Sequence, residues 1–493
     1  MEETHPCARR GLGRRHVLGF FLFFVAIGAL PPEALHWDGI GFLEWAGRDP
    51  IQLDYGHTLY LPLLRAFHAG LEVLWYGTWE YSSKLLSSFG AAAFFVLLWR
   101  RLERGGLDVF LGFTLAALAS TTPIFWRQAG IVEPTTWTLA ALLLADRAAE
   151  RYGGRRTAGS CVLFVVAFLV LLGFHLVSLC AAPWLARRAR LWRDRPPRSH
   201  LLVPLAFALL LFGALAAADK LAELASFGAY WRGFLPRLEP RALGAHAAFL
   251  LRVLGLGMPG LFVAGVLGAG VALGTRGTSP ARAKEVLLEA VLLALPYLLA
   301  YLALGKPVVG LLLPVGVGLA LAAESGLCAL PRGAFADRAA ATLLSALVVF
   351  QVGHGMVSGL QRARTPDDLQ EEAELLAGAL PRDAVLLAGP VGHHVRWFTG
   401  APVVVLPNEL HAARPGPGGK VDAIALVQAV AARESQRHAL VYLSSEAIDD
   451  LVLNWGADPS LLSVDPEGLI RVRHEPPLYL VPLVPGTGPP AVD

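Results

Sequence analysis

The segment RRGLGRRHVLGFFLFFVAIGALPPE, residues 9–33, decides the class of this protein. Arg9, Arg10, Arg14 and Arg15 precede an apolar run from Val17 to Leu30, and Pro31-Pro32-Glu33 ends it. A basic flank before an apolar run is also the order of a secretory signal peptide. No A-x-A cleavage pattern follows, so the run is expected to stay as an uncleaved anchor. Outward from it, further apolar runs fall near 85–100, 107–125, 134–150, 157–173, 175–190, 200–218, 246–273, 284–304, 307–325 and 338–357. Each approaches the ~20 apolar residues that cross a bilayer core. Together they predict about 11 spans. The stretch 157–190 reads either as two short spans around His175 or as one long tilted helix.

Composition agrees. Of 493 residues, 55% are hydrophobic and only 16% are charged, against about 25% charged in soluble chains. Mean hydropathy is +0.52. A disordered chain and a single soluble domain are both excluded. The net charge of +3 says little, because in membrane proteins the placement of charge matters more than its sum. The four cysteines, Cys7, Cys161, Cys180 and Cys328, form no C-x-x-C pair or Cys/His cluster, so a zinc or iron–sulfur site is not supported. None follows residue 328, so the C-terminal region has no disulfide.

Loop charges orient the spans. With the N-terminus inside, inner loops carry Arg100, Arg101 and Arg104, then Arg147, Arg151, Arg155 and Arg156. Arg187, Arg188, Arg190, Arg193, Arg195 and Arg198 follow, then Arg276, Arg282 and Lys284, then Arg332 and Arg338. The outer loops are poorer in basic residues, which is the positive-inside bias. An odd number of spans then puts residues 358–493 outside.

Two regions stand apart from the spans. The first outer loop, 32–84, holds Trp37, Trp45, Trp75, Trp79, Tyr55, Tyr60, Tyr76 and Tyr81. It reads as an interfacial aromatic belt or as interfacial helices roofing a cavity, where rings stack on a sugar. In 358–493 the runs AVLLAG (384–389), PVVVLP (402–407) and ALVYLSS (439–445) read as buried strands. They alternate with helical patterns at 366–380, 423–436 and EAIDDLVLNW, which predicts a small α/β domain with a mainly parallel sheet. No G-x-G-x-x-G follows a strand, so a dinucleotide site is not indicated. His393 and His394 are adjacent and are expected at the surface.

Acidic residues near the predicted outer face are the candidates for chemistry. Asp38 lies in HWDGIGF just beyond the first span, and Glu133 opens the fourth in GIVEPTTW. Glu133 could equally be a helix-end carboxylate held by the dipole. His57 and Tyr60 fall in DYGHTLYLPLLRAF, a turn leading into an amphipathic helix. Lys306, in LALGKPVVGLLLPVG, sits at a span mouth, where a cation meets a lipid phosphate or simply snorkels. Arg252 falls inside the eighth span, where charge is costly enough to invite a functional reading.

These motifs, in this order, resemble the GT-C superfamily of polyprenyl-phosphate-sugar glycosyltransferases, nearest to its protein O-mannosyltransferase-like and lipid A aminoarabinose transferase-like branches. In one branch the first loop reads roughly D-S-x-E-F, then H-P-P-G-Y-P-L. Here Asp38 and Phe42 match, Gly41 replaces the acid, and His57, Pro62 and Leu63 are kept. Glu133 retains the acid of an E-V-Y motif, and LLGFHLVSL with His175 echoes G-L-x-x-x-x-H. Lys306 and Pro314 echo a K-x-x-x-Y-x-x-P pattern that lacks its Tyr.

The resemblance implies a membrane all-α, GT-C-like helical bundle over residues 1–357 and an extracytoplasmic α/β domain over 358–493. It implies residence in the bacterial inner membrane, with the N-terminus cytoplasmic. The donor would be a polyprenyl-phosphate-linked sugar, the acceptor a glycan, lipid or protein, and no nucleic acid would be involved. Asp38 would take the proton of the acceptor hydroxyl. Glu133 would orient the acceptor, with a divalent cation (Mg or Mn) as an optional partner. His57, Tyr60 and His175 would contact substrate, and Lys306 and Arg252 would neutralise the leaving phosphate. Two rivals stand beside this reading: a secondary transporter or lipid-linked-sugar flippase, and a non-catalytic envelope-assembly protein. A transporter would favour an internal repeat, and none is evident between the halves.

Overall fold

The computed structural model describes residues 13–28, 42–43, 46–47, 57–74, 78–130, 134–193, 197, 200, 202–204, 206–207, 240–274, 280–303, 312–330, 334–363, 368–413, 422–475 and 477–484. The chain divides into two compact units. The first comprises Met1–Glu33, Trp45–Leu211 and Pro236–Gln361; the second comprises Ala34–Glu44, Phe212–Leu235 and Arg362–Asp493.

The first unit is helical. It runs α1 (Arg14–Gly28), α2 (Tyr60–Leu74), α3 (Trp79–Arg104), α4 (Val109–Ser120), α5 (Pro123–Gly130), α6 (Thr135–Arg155) and α7 (Ala158–Phe174). A 3-10 turn (Leu176–Ala181) leads to α8 (Ala182–Arg188). Then come α9 (Pro240–Gly257), α10 (Pro259–Gly274), α11 (Pro280–Ala303), α12 (Leu313–Ala329) and α13 (Ala334–Ala363). Among the described residues three helices are long and apolar enough to cross a membrane, or up to five if each bent pair is one span. Most of the predicted span 200–218 lies outside the described residues.

Proline explains the two bent pairs. The predicted run 107–125 breaks ahead of Pro123, and α4 and α5 meet at 71°. The run 246–273, expected as one span, breaks at Met258 ahead of Pro259, so α9 and α10 meet at 105°. The proline ring disfavours helical backbone in the residue before it, so an apolar run can look continuous and still fold as two helices. The stretch 157–190 also breaks, at His175, whose backbone is extended (φ −160°, ψ 116°).

Small residues set the helix packing. On α3, Ser87, Gly90 and Ala91 form a buried strip. A Cβ at Gly90 would lie 2.7 Å from Thr136 Oγ1 of α6. The approach is close enough for the Thr136 hydroxyl to donate to the Ser87 carbonyl (3.0 Å) and for the Trp137 indole N–H to donate to that of Leu86 (2.9 Å). Without a hydrophobic force between helices in lipid, this close packing and these hydrogen bonds supply the association.

The second unit is α/β. It contains α14 (Asp368–Ala379), β1 (Ala384–Ala388), β2 (Val403–Val405), α15 (Leu406–Ala412), α16 (Ala423–Glu434), β3 (Leu440–Ser444), α17 (Ser445–Trp455), β4 (Ile470–Arg473) and β5 (Leu478–Pro482). The sheet order is β2-β1-β3-β5-β4. β1 pairs parallel with β2 and β3, whereas β5 pairs antiparallel with β3 and β4. The sheet is therefore mixed, and the expected mainly parallel sheet is only its β2-β1-β3 half. Alternation along the strands fills two cores. Val385, Leu387, Val441 and Leu443 pack with α15, α16 and α17. Ala384, Leu386 and Ala388 pack with Ala373 and Leu376 of α14. This is the pattern of strands covered on both faces.

His393 and His394 correct a second expectation. They are 3% and 0% exposed, not at the surface. A helical turn (Gly392–His394) and a π-helical turn (Val395–Thr399) follow β1. Val391 and Val395 anchor this segment in the core, so both imidazoles fold under it.

Candidate functional site

The loop before α2 meets the end of α7. The Leu59 N–H donates to the Gly173 carbonyl at 2.8 Å, and the Thr58 hydroxyl reaches the same oxygen at 3.5 Å. Gly173 permits this approach, because a Cβ there would lie 2.6 Å from Leu59 Cγ. Two residues on, His175 ends α7, and its Nδ1 accepts the Val177 N–H at 3.2 Å, capping the 3-10 turn. The ring of His57 lies against that of His175, with centroids 4.7 Å apart. Tyr60, fully buried, opens α2 and donates its N–H to the His57 carbonyl at 3.0 Å. Three of the predicted substrate-binding residues, His57, Tyr60 and His175, thus come together from segments more than a hundred residues apart in the chain.

Burial pulls the His57 imidazole down to about 4. At physiological pH it is therefore neutral, with one donor and one acceptor nitrogen, and not a fixed cation. Next to this loop, α2 is pinned to α3: the His68 ring stacks on Trp79 at 3.7 Å, and its Nδ1 pairs with the Ser82 hydroxyl at 2.9 Å. Trp79 was predicted in the aromatic belt or roof, and it serves as this stacking partner.

The other predicted site residues stand differently. Asp38, Glu133 and Lys306 lie outside the described residues. Arg252 is exposed on α9 and makes no hydrogen bond or ion pair among the described residues. Among the described residues, no group of three His, Cys, Asp or Glu side chains could hold a metal ion.

Sequence reasoning missed a second convergence of charge. Arg101 on α3, 4% exposed, reaches Asp146 of α6 (3.4 Å), Glu289 of α11 (2.8 Å) and Glu324 of α12 (3.4 Å). Arg188 on α8 pairs with the same Asp146 (2.6 Å) and Glu289 (3.1 Å), and with Glu150 (3.4 Å). Two guanidiniums thus join five helices through shared carboxylates. Arg101 and Arg188 read in the sequence as ordinary positive-inside residues. The signal that could have singled them out is the set of acids Asp146, Glu289 and Glu324, each at the end of an apolar run.

The α/β unit holds a buried, perturbed acid. Glu446, at the start of α17, sits beside Gly389 in the loop after β1. Burial, with Glu372 and Asp450 nearby, pushes its carboxyl up to about 8, against the backbone N–H groups of Val391 and Gly389 that favour the charged form. This is the carboxyl edge of β1 and β3, where the strand order switches sides.

No family model and no curated protein matches the sequence. The fold is nevertheless similar to that of solved structures over nearly the whole chain. The structure is similar to that of ArnT from Cupriavidus metallidurans bound to undecaprenyl phosphate, with a TM-score of 0.53 and 14% identity over 96% of this chain and 98% of that one. ArnT in the apo state gives a TM-score of 0.51 and 14% identity over 96% and 100%. Arabinofuranosyltransferase AftD from Mycobacteria gives 0.43 and 17% identity, over 89% of this chain and 35% of that one.

Proposed function

We propose that this chain is a membrane glycosyltransferase that moves a sugar from a polyprenyl-phosphate carrier to an acceptor hydroxyl outside the cytoplasm. The observation that carries the reading is the likeness of nearly the whole chain to ArnT, a protein crystallised with undecaprenyl phosphate. The meeting of His57 and His175 supports it, because each lies in one of the motifs that suggested the family.

In the proposed reaction the acceptor oxygen attacks the sugar C1 while the bond from C1 to the phosphate oxygen breaks. The phosphate leaves with the bonding pair on its polyprenyl chain, and the anomeric configuration inverts. Because the leaving group is already an anion of modest basicity, the demanding proton transfer is at the acceptor. Asp38 takes that proton as general base. Glu133 orients the acceptor hydroxyl. Lys306, with Arg252, offsets the charge gathering on the leaving phosphate. Neutral His57, with His175 and Tyr60, gives hydrogen bonds and ring surface to the sugar.

The test is transfer by purified protein from a labelled polyprenyl-phosphate sugar to an envelope extract. Label should move to the acceptor as free polyprenyl phosphate appears. Asp38→Asn should lose roughly a hundredfold or more, the lower range for a general base. Full activity in that variant removes Asp38 from the mechanism. Movement of intact carrier across a vesicle membrane without transfer would favour the flippase instead.

A further inference from the structure

The geometry points to a second ligand site at the far end of the bundle from His57: a cavity that takes a phosphate ester between Arg104 and Arg282. The cavity has a volume of about 390 Å³ and lies among α3, α6, α8, α11 and α12. α7 leaves this level near Tyr152, whose ring stacks on Phe164, and the chain returns to it at Arg188 after the turn at His175. From Phe164 to Phe174 α7 rises about 15 Å, so the cavity and the His57–His175 pair lie at different levels of the bundle. The helix ends around it carry the basic loops.

Most charges lining the cavity are already matched. Arg101 and Arg188 are engaged by Asp146, Glu289 and Glu324, and each of these acids serves one or both of them. Glu150 is shared among Arg147 (2.8 Å), Arg188 (3.4 Å) and Arg104 (3.5 Å). Two lining cations keep donors in hand. Arg104 approaches Glu150 through Nε at 3.5 Å, and its two terminal nitrogens make no hydrogen bond among the described residues. Arg282 makes no hydrogen bond or ion pair among the described residues. What the cavity lacks is a group with several acceptor oxygens.

The turn between α3 and α4 is built around these side chains. Gly106 has φ +91°, and a Cβ there would lie 2.9 Å from Arg282 Nη2, so the guanidinium lies directly on the turn. Gly105 needs no glycine for its backbone (φ −61°), yet a Cβ there would overlap Glu324 Oε1. Two consecutive glycines thus let Arg282 and Glu324 line one cavity. A phosphate ester offers oxygens to two guanidinium forks at once, the geometry for which arginine is suited. Glu285, which also lines the cavity and has no partner among the described residues, would accept an amine carried by the same head group. The phosphate comes either on a lipid head group or as a soluble ester.

The experiment uses the purified full-length protein in a phosphate-free detergent, read by native mass spectrometry and thermal shift. The probes are phosphatidylglycerol, phosphatidylethanolamine, inorganic phosphate, and a diacylglycerol lacking phosphate. At least one phosphate-bearing probe should bind and raise the melting temperature, and diacylglycerol should not. Protection by the phospholipids alone identifies a head-group site; protection by inorganic phosphate identifies a soluble ester. R104Q/R282Q should weaken that binding about tenfold or more. R282Q alone should weaken it severalfold, and because Arg282 is exposed this variant keeps the fold. H57A should bind as the wild type does, so the result stands whether or not the transferase reading holds. Equal binding by wild type and both arginine variants, or no phosphate-dependent shift in the wild type, overturns the proposal.

Discussion

Gly173→Ala is a sharp test of the contact that brings His57 to His175. The added methyl would lie 2.6 Å from both Cγ and Cδ1 of Leu59. Carbon atoms settle near 3.5–4.0 Å, so Leu59 must retreat by about 1 Å. Leu59 is 38% exposed and has room to move, which puts the cost at the low end of the 1–3 kcal/mol usual for overpacking, about 1 kcal/mol. The retreat also draws the Leu59 N–H from the Gly173 carbonyl, a bond of 2.8 Å worth about 1 kcal/mol more. The sum, about 2 kcal/mol, lowers the population of the closed loop up to thirtyfold. Leu59→Ala removes the two clashing atoms and leaves only Cβ, at 3.4 Å. Thermal unfolding and transfer assays on both single variants and the double variant complete a cycle. Gly173→Ala should lose stability and transfer, and the double variant should recover most of both. A double variant no better than Gly173→Ala would refute the idea that the Leu59 clash is the cause.

Arg101→Met should destabilise the first unit by about 3–5 kcal/mol, because Asp146, Glu289 and Glu324 would lose their shared cation; a melt in detergent checks this. Adding Glu324→Gln should restore part of the loss. Glu446 makes the second unit sensitive to pH. Its folded carboxyl, at about 8 against an ordinary 4.5, holds its proton more tightly than the unfolded chain does. The stabilisation is therefore full below about pH 4.5 and fades as pH rises to about 8, with an upper bound of about 5 kcal/mol. Hydrogen exchange in β1 and β3, corrected for intrinsic rate, should show this loss in the wild type and a flat profile in Glu446→Gln.

What the sequence made legible follows from the range over which each signal acts. Apolar runs report burial directly, so the helices of the first unit and strands β1, β2 and β3 appear close to their expected places. β4 and β5 were missed because IRVR carries two charges and LYLVP ends in proline, so neither stands out from a loop. The breaks at Pro123 and Pro259 were hidden because hydropathy does not register backbone geometry. His393 and His394 misled for a similar reason. Adjacent residues diverge in direction, but a short turn anchored by valines on both sides can bury both.

The candidate site was legible where a motif named residue types, and illegible where function depends on pairing across the chain. His57 and His175 were found because a resemblance pointed to each separately; nothing in the local sequence says that Gly173 lets them touch. The charged hub is the opposite case. Arg101 and Arg188 looked like topology signals, and their second role becomes visible only when five helices meet. The two features meet in α7 and α8, since the segment that carries His175 at one end is held at the other by Arg188. Ion pairs between packed helices resist sliding, and the contacts of the His57 loop include two hydrogen bonds and a ring contact. Free energy of local opening tracks the density of such contacts. The bundle should therefore stay rigid at the arginine end.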